Sequence, residues 1–177
     1  MHPDAWKNDK QIFSTLAEHC IPHFLESSFS SALDLVRGDK KIMSIAVVRD
    51  YRSFFQASAD LQEDVHLIVV ACSASQDFIV DYCDRHGNDR GNMMRNQVRA
   101  TLDLYENFIK IILCAMTFSG AHNTCALHLL NQGETTTLAY KKLIAECLGI
   151  PNGRQIHLAV HNIESYEADS SAESSNS

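Results

Sequence analysis

The sequence predicts an all-α fold of about eight helices, and three observations predict it. Apolar residues recur at steps of three, four and seven over most of the chain, the period of one helix face. Turn formers are scarce, with 3 Pro and 7 Gly in 177 residues, too few for a sandwich or barrel built on tight turns. The Val-rich run at 65–70 lies inside a longer helical stripe, with no turn signal at either end. A 45% hydrophobic fraction and 21% charged residues are ordinary for a chain that buries a core.

The elements follow in order. Asp9 opens a first helix through about Cys20, with Ile12, Phe13 and Leu16 on one face. Pro22 ends it and starts a second, because proline lacks the amide proton the preceding turn needs but fits a first turn. That helix carries Phe24, Leu25, Phe29, Leu33 and Val36, and Gly38 is placed to cap its end. Asp39 caps a third helix that reaches Phe54 and Phe55. A fourth spans roughly 61–86, with Asp60 as its cap and Val65, Ile68, Val69, Cys72, Ile79 and Cys83 as its stripe.

Gly87-Asn88-Asp89-Arg90-Gly91 is the clearest break, since two glycines and two Asx residues in five positions read as a turn. Asn92 then caps the strongest helix, to about Ser119, striped by Met94, Val98, Leu102, Tyr105, Phe108, Ile112 and Met116. At about 1.5 Å per residue it is roughly 40 Å long, a spine for the fold. Shorter helices are expected near Ala121–Asn131 and Thr135–Cys147, and a last one from Arg154 to about Tyr166. The predicted organisation is an N-terminal helical half over 1–87 and a C-terminal half over 88–167. Residues 168–177 form an acidic, Ser-rich tail with nothing larger than Ala to bury, so it is expected unfolded. Its Ser170, Ser171, Ser174 and Ser175 among acids are candidate phosphorylation sites or simply solvating residues.

The charge is acidic at −7. Glu164, Glu167, Asp169 and Glu173 near the C-terminus supply four of those charges, which leaves a body at −3. A nucleic-acid site on such a body has to be a local patch. The six cysteines form no CxxC pair and fall mostly on apolar helix faces, where a free thiol acts as a small hydrophobe; a reducing, cytoplasmic or nuclear setting is expected. Met1–Trp6 does not read as a signal peptide, no lipidation motif stands at either end, and no apolar stretch approaches a membrane span, so no membrane association is expected.

Arginines concentrate beside the central turn: Arg85, Arg90, Arg95 and Arg99. Arg95 and Arg99 are one turn apart and share a helix face, and guanidinium groups so placed can pair bidentately with phosphates. Arg49 and Arg52 form a second pair, and Lys141 and Lys142 a basic doublet, beside Lys40 and Lys41. The alternative is a solvated face laced with intrahelical pairs such as Arg99–Asp103 and Glu106–Lys110. His157 and His161 stand at i,i+4, a spacing that can hold one zinc, yet no third ligand is implied. Cys83/His86 and Cys125/His128 are similar chance pairs, so no metal and no other cofactor is predicted. No GxSxG, phosphate-loop, dinucleotide or paired-carboxylate motif occurs, and the chain is read as a non-enzyme.

A helical chain of this length, with mid-chain arginines and no enzyme motif, resembles the helical RNA-silencing suppressors of closteroviruses, which are plant RNA viruses. The resemblance covers the whole chain through size, helical pattern and arginine placement, without a short diagnostic motif. It implies a viral protein of the host-cell cytoplasm that binds and sequesters short double-stranded RNA without sequence specificity. It also implies self-assembly into a ring with a basic inner surface. Under it, charge and spacing select Arg49, Arg52, Arg85, Arg90, Arg95, Arg99, Lys141 and Lys142 as RNA contacts. The alternative class is a protein-interaction module without nucleic-acid binding, anchored by aromatics such as Trp6, Tyr51, Phe54 and Tyr82. A metal-dependent enzyme built on His157 and His161 is a minor third reading.

Overall fold

A computed structural model describes residues 9–19, 22–118 and 153–175 of the chain. The fold is all-α, with no strand among the described residues. Helix α1 is Lys10–His19, α2 Pro22–Ser30, α3 Asp34–Arg37, α4 Lys40–Arg49, α5 Ala59–Gln62, α6 Val65–Ala74, α7 Asp77–His86, α8 Asn88–Phe118 and α9 Gly153–Ser175, with a 3-10 segment at Tyr51–Gln56. The expected helices near 121–131 and 135–147, with Lys141 and Lys142, lie outside the described residues.

Six of the eight expected helices fall in the described part, and they appear as more and shorter segments. The expected second helix breaks after Ser30, and α3 forms a separate turn before Gly38. The third stops at Asp50, whose extended backbone ends α4 and whose carboxylate accepts from the Arg52 amide at 3.1 Å. The expected 61–86 helix is cut twice. Asp64 leaves helical geometry to cap α6, accepting from the Leu67 amide at 3.1 Å, and Ser75 ends α6 in extended conformation. Periodicity could not show these cuts, because Asx caps fit a polar gap in a stripe as easily as a solvent-facing position does.

Four aspartates set the helix starts. Asp9 accepts from Gln11 and Ile12 at 2.9 and 3.2 Å, and Asp39 accepts from Ile42 at 3.2 Å; Asp50 and Asp64 do the same for the segments they precede. Two of these caps also tie helices together. Asp39 binds Lys10 of α1 at 2.7 Å, and Asp64 binds Lys40 of α4 at 2.9 Å. The Lys10 hydrogen bond holds the Asp39 carboxyl below the usual range. Burial raises Asp64, but Lys40 and the capped amide outweigh it and hold that carboxyl low as well.

The central break is narrower than the Gly87–Gly91 turn expected. Only Gly87 leaves the helix, at φ 83°, a conformation other residues rarely adopt. Its amide closes α7 onto the Cys83 carbonyl at 2.7 Å. Helix α8 starts at once at Asn88, so Gly91 is helical and Asn92 is not the cap. Gly91 faces Cys83 across the α7–α8 contact, where a Cβ would collide with the Cys83 sulfur.

The core is centred on α6. Leu67, Ile68, Val69, Val70, Ala71 and Cys72 are all buried, so this helix is apolar all round. Helix α4 packs on it, as do α8 and, most extensively, α9. Ile156, Ala159, Val160 and Ile163 form the buried stripe of α9, and Asn162 donates to the Cys72 carbonyl at 2.7 Å. Thus α9, from beyond the central break, rests on α6, from before it. The composition predicts an unfolded tail from 168; α9 instead runs to Ser175. Ser170 and Ser171 donate to the carbonyls one turn back, each at 2.8 Å, and Asp169 accepts from Gln76 at 3.1 Å. Adding residues to an anchored helix avoids the nucleation cost an isolated tail would face.

An aromatic cluster joins the 3-10 segment to α7. Phe54 and Phe78 are fully buried with centroids 4.9 Å apart, edge to face. Replacing Phe78 by Ala should therefore cost about 3–5 kcal/mol. Chemical denaturation checks this; a loss below about 1 kcal/mol would contradict the cluster's role.

Candidate nucleic-acid interface

The surface over that cluster carries the exposed Arg52, Arg85 and Arg90. In α7, Phe78 and Tyr82 lie one turn apart, and His86 follows one turn on; the Tyr82 and His86 centroids are 4.5 Å apart. The 3-10 segment adds Phe55, 5.7 Å from Phe78. Arg85 lies over the Phe55 ring at 4.0 Å, and Arg52 over the Tyr51 ring at 5.3 Å. Such stacking contributes about 0.5–1 kcal/mol at an exposed site.

Charges on this face act on one another. Tyr51 donates to Asp81 at 2.9 Å, and burial together with that bond pushes its hydroxyl up to about 12. Burial lowers the His86 pKa below its ordinary value, and the charges of Arg90 and Arg85 lower it further. Neutral His86 thus sits within the field of two arginines. Both arginines are exposed, and neither forms an ion pair among the described residues.

The remaining sequence-selected arginines are engaged inside the fold. Arg49 donates to the Ala17 carbonyl at the end of α1, at 3.0 Å. Arg95 is 8% exposed. Its Nε lies 3.3 Å from Glu167, one Nη contacts the Cys83 sulfur at 3.4 Å, and the other donates to Asn92. Arg99 donates to the other Glu167 oxygen at 2.6 Å. At about 100° per residue, Arg95 and Arg99 lie roughly 140° and 180° around α8 from Arg90. The arginines beside the central break therefore divide between two surfaces: Arg85 and Arg90 over the aromatic cluster, Arg95 and Arg99 under α9. Lys141 and Lys142 lie outside the described residues.

The aromatic anchors also divide. Phe54 is fully buried and Tyr51 nearly so, whereas Tyr82 is half-buried; Trp6 lies outside the described residues. His157 is exposed and faces Glu106 at 3.9 Å. Among the described residues no three His, Cys, Asp or Glu side chains gather as a metal site, and no helix is long and apolar enough to cross a membrane. In the sequence, His86 figures only beside Cys83 as a chance metal pair and Phe55 only as an apolar helix position. The Tyr82-x3-His86 spacing was the available signal for His86, but none linked Phe55 to Arg85 across 30 positions.

Comparison with known proteins finds no match among protein-family models, curated proteins or solved structures.

His86 gives a pH signature. Its folded pKa lies below 6.5, so the unfolded chain takes up the proton first as pH falls. Stability is then lost as pH drops through about 6.5 toward the folded value and levels off below it. An NMR titration should place the His86 midpoint under 6.5, and His86→Gln should flatten that part of the stability profile. A midpoint above 6.5 would contradict this environment.

Proposed function

We propose that the chain binds short double-stranded RNA without sequence specificity, as the resemblance to closterovirus silencing suppressors implies, and sequesters it from the host's silencing machinery. The observation that carries this reading is the pair of exposed arginines, Arg85 stacked on Phe55 and Arg90 near it by their common effect on His86, with no carboxylate paired to either among the described residues. In a chain of net charge −7, two neighbouring exposed arginines without a paired carboxylate offer an anionic partner a local cationic patch. A-form RNA hides its base edges in a deep, narrow groove, so a protein grips it through phosphates and 2′-hydroxyls and needs no sequence code. Two arginines per chain bind weakly. Copies assembled into a ring, as the resemblance implies, would multiply the contacts on one duplex and raise avidity.

A second reading is favoured by α8. Met93 and Leu104 are each 70% exposed and lie within about 20° of one another around the helix. An apolar edge of this kind suits docking of a helix from another protein, with no role for RNA.

Gel retardation separates the two readings. The purified protein should retard a short RNA duplex of arbitrary sequence at low salt. Arg85→Ala with Arg90→Ala should weaken binding alike for all sequences and lower the salt slope by about one per arginine. No retardation by micromolar wild-type protein at low salt would remove the RNA reading and leave the docking module.

A further inference from the structure

Helices α8 and α9 run antiparallel, with Tyr105 against Gly153 at one end and Arg95 and Arg99 against Glu167 at the other. Glu167 spans the two arginines with separate oxygens, Oε1 to Arg95 at 3.3 Å and Oε2 to Arg99 at 2.6 Å. Two guanidinium groups held one helical turn apart around a single anion form the arrangement a phosphate would also occupy. The two arginines are not equivalent. Arg95 is fixed by Cys83, Asn92 and the Tyr166 ring, with a side chain only 10% exposed. Arg99 and Glu167 have side chains 36% and 40% exposed, so this half of the contact opens to water.

The segment that delivers Glu167 runs along the surface. Ile163 is the last buried residue of α9; Tyr166 packs partly against the core, and residues 168–172 are exposed. Beyond Glu167, Asp169 accepts a hydrogen bond from Gln76 at 3.1 Å. Retraction of this end disturbs no fully buried side chain.

We propose that Glu167 is an internal occupant of a phosphate site, its carboxylate covering Arg95 and Arg99 until a nucleic-acid phosphate displaces it. The proposal rests on the RNA-binding reading and adds its regulation: the end of α9 sets the affinity of a second contact surface. The Arg99 half of the contact, open to water, is screened by salt, whereas a duplex offers many phosphates at once.

The test is Glu167→Gln, which keeps an acceptor near Arg99 but removes the charge. Its affinity for a short RNA duplex should rise several-fold over wild type, with a salt slope steeper by about one. Adding Arg99→Ala should abolish that gain. Unchanged affinity and slope in a normally folded variant, or a gain that survives Arg99→Ala, overturns the proposal while wild-type binding leaves the RNA reading standing. If neither wild type nor variant binds RNA, both fall together. Hydrogen exchange on the wild-type protein decides the matter should the variant misfold. RNA should speed amide exchange over residues 164–172, and unchanged or slower exchange contradicts displacement.

Discussion

The burial of α6 on every side is the constraint on which the rest of the structure depends. Six successive residues, Leu67 to Cys72, have no solvent face, so neighbours must cover the helix all round. Helices α4, α8 and α9 do so, and this is why the last helix, distant in sequence, lies beside the middle of the chain. The α9 stripe of Ile156, Ala159, Val160 and Ile163 is the counterpart of that surface. Once α9 is seated, Glu167 is brought beside Arg95 and Arg99.

The polar design follows from the same packing. Several carboxylates act within the fold: Asp39 and Asp64 cap helices while binding Lys10 and Lys40, and Glu167 joins α9 to α8. Each engagement also takes a cation out of the surface field. Arg85, stacked on the Phe55 ring, and Arg90 have no carboxylate paired to them among the described residues. A ring supplies a face for the Arg85 guanidinium without supplying an opposite charge.

Much of this architecture was legible in the sequence. The helical period, the Asp9 and Asp39 starts, the Pro22 boundary and the long α8 follow from local rules that tertiary contacts did not override. The cuts at Asp50, Asp64 and Ser75 were not legible, because a capping aspartate and an exposed helical aspartate look alike in one dimension. The tail misled through composition. Its small and acidic residues cannot nucleate a helix, yet they extend one already anchored. The arginines were found by spacing, but their division was hidden: i,i+4 spacing places Arg95 and Arg99 on one face without saying that Glu167, 68 positions from Arg99, will meet them. The platform under Arg85 depends on Phe55, which no local pattern connects to it.

On the RNA-binding proposal, the exposed Arg85 and Arg90 receive the anionic ligand while Arg49 and Arg95 serve the fold. An arginine-selective dicarbonyl reagent, read out by mass spectrometry, measures this directly. Modification should be fast at Arg85 and Arg90 and slow at Arg49 and Arg95, and short duplex RNA should protect Arg85 and Arg90. Modification of Arg95 as fast as Arg90, or no protection by RNA at either outward arginine, would contradict it.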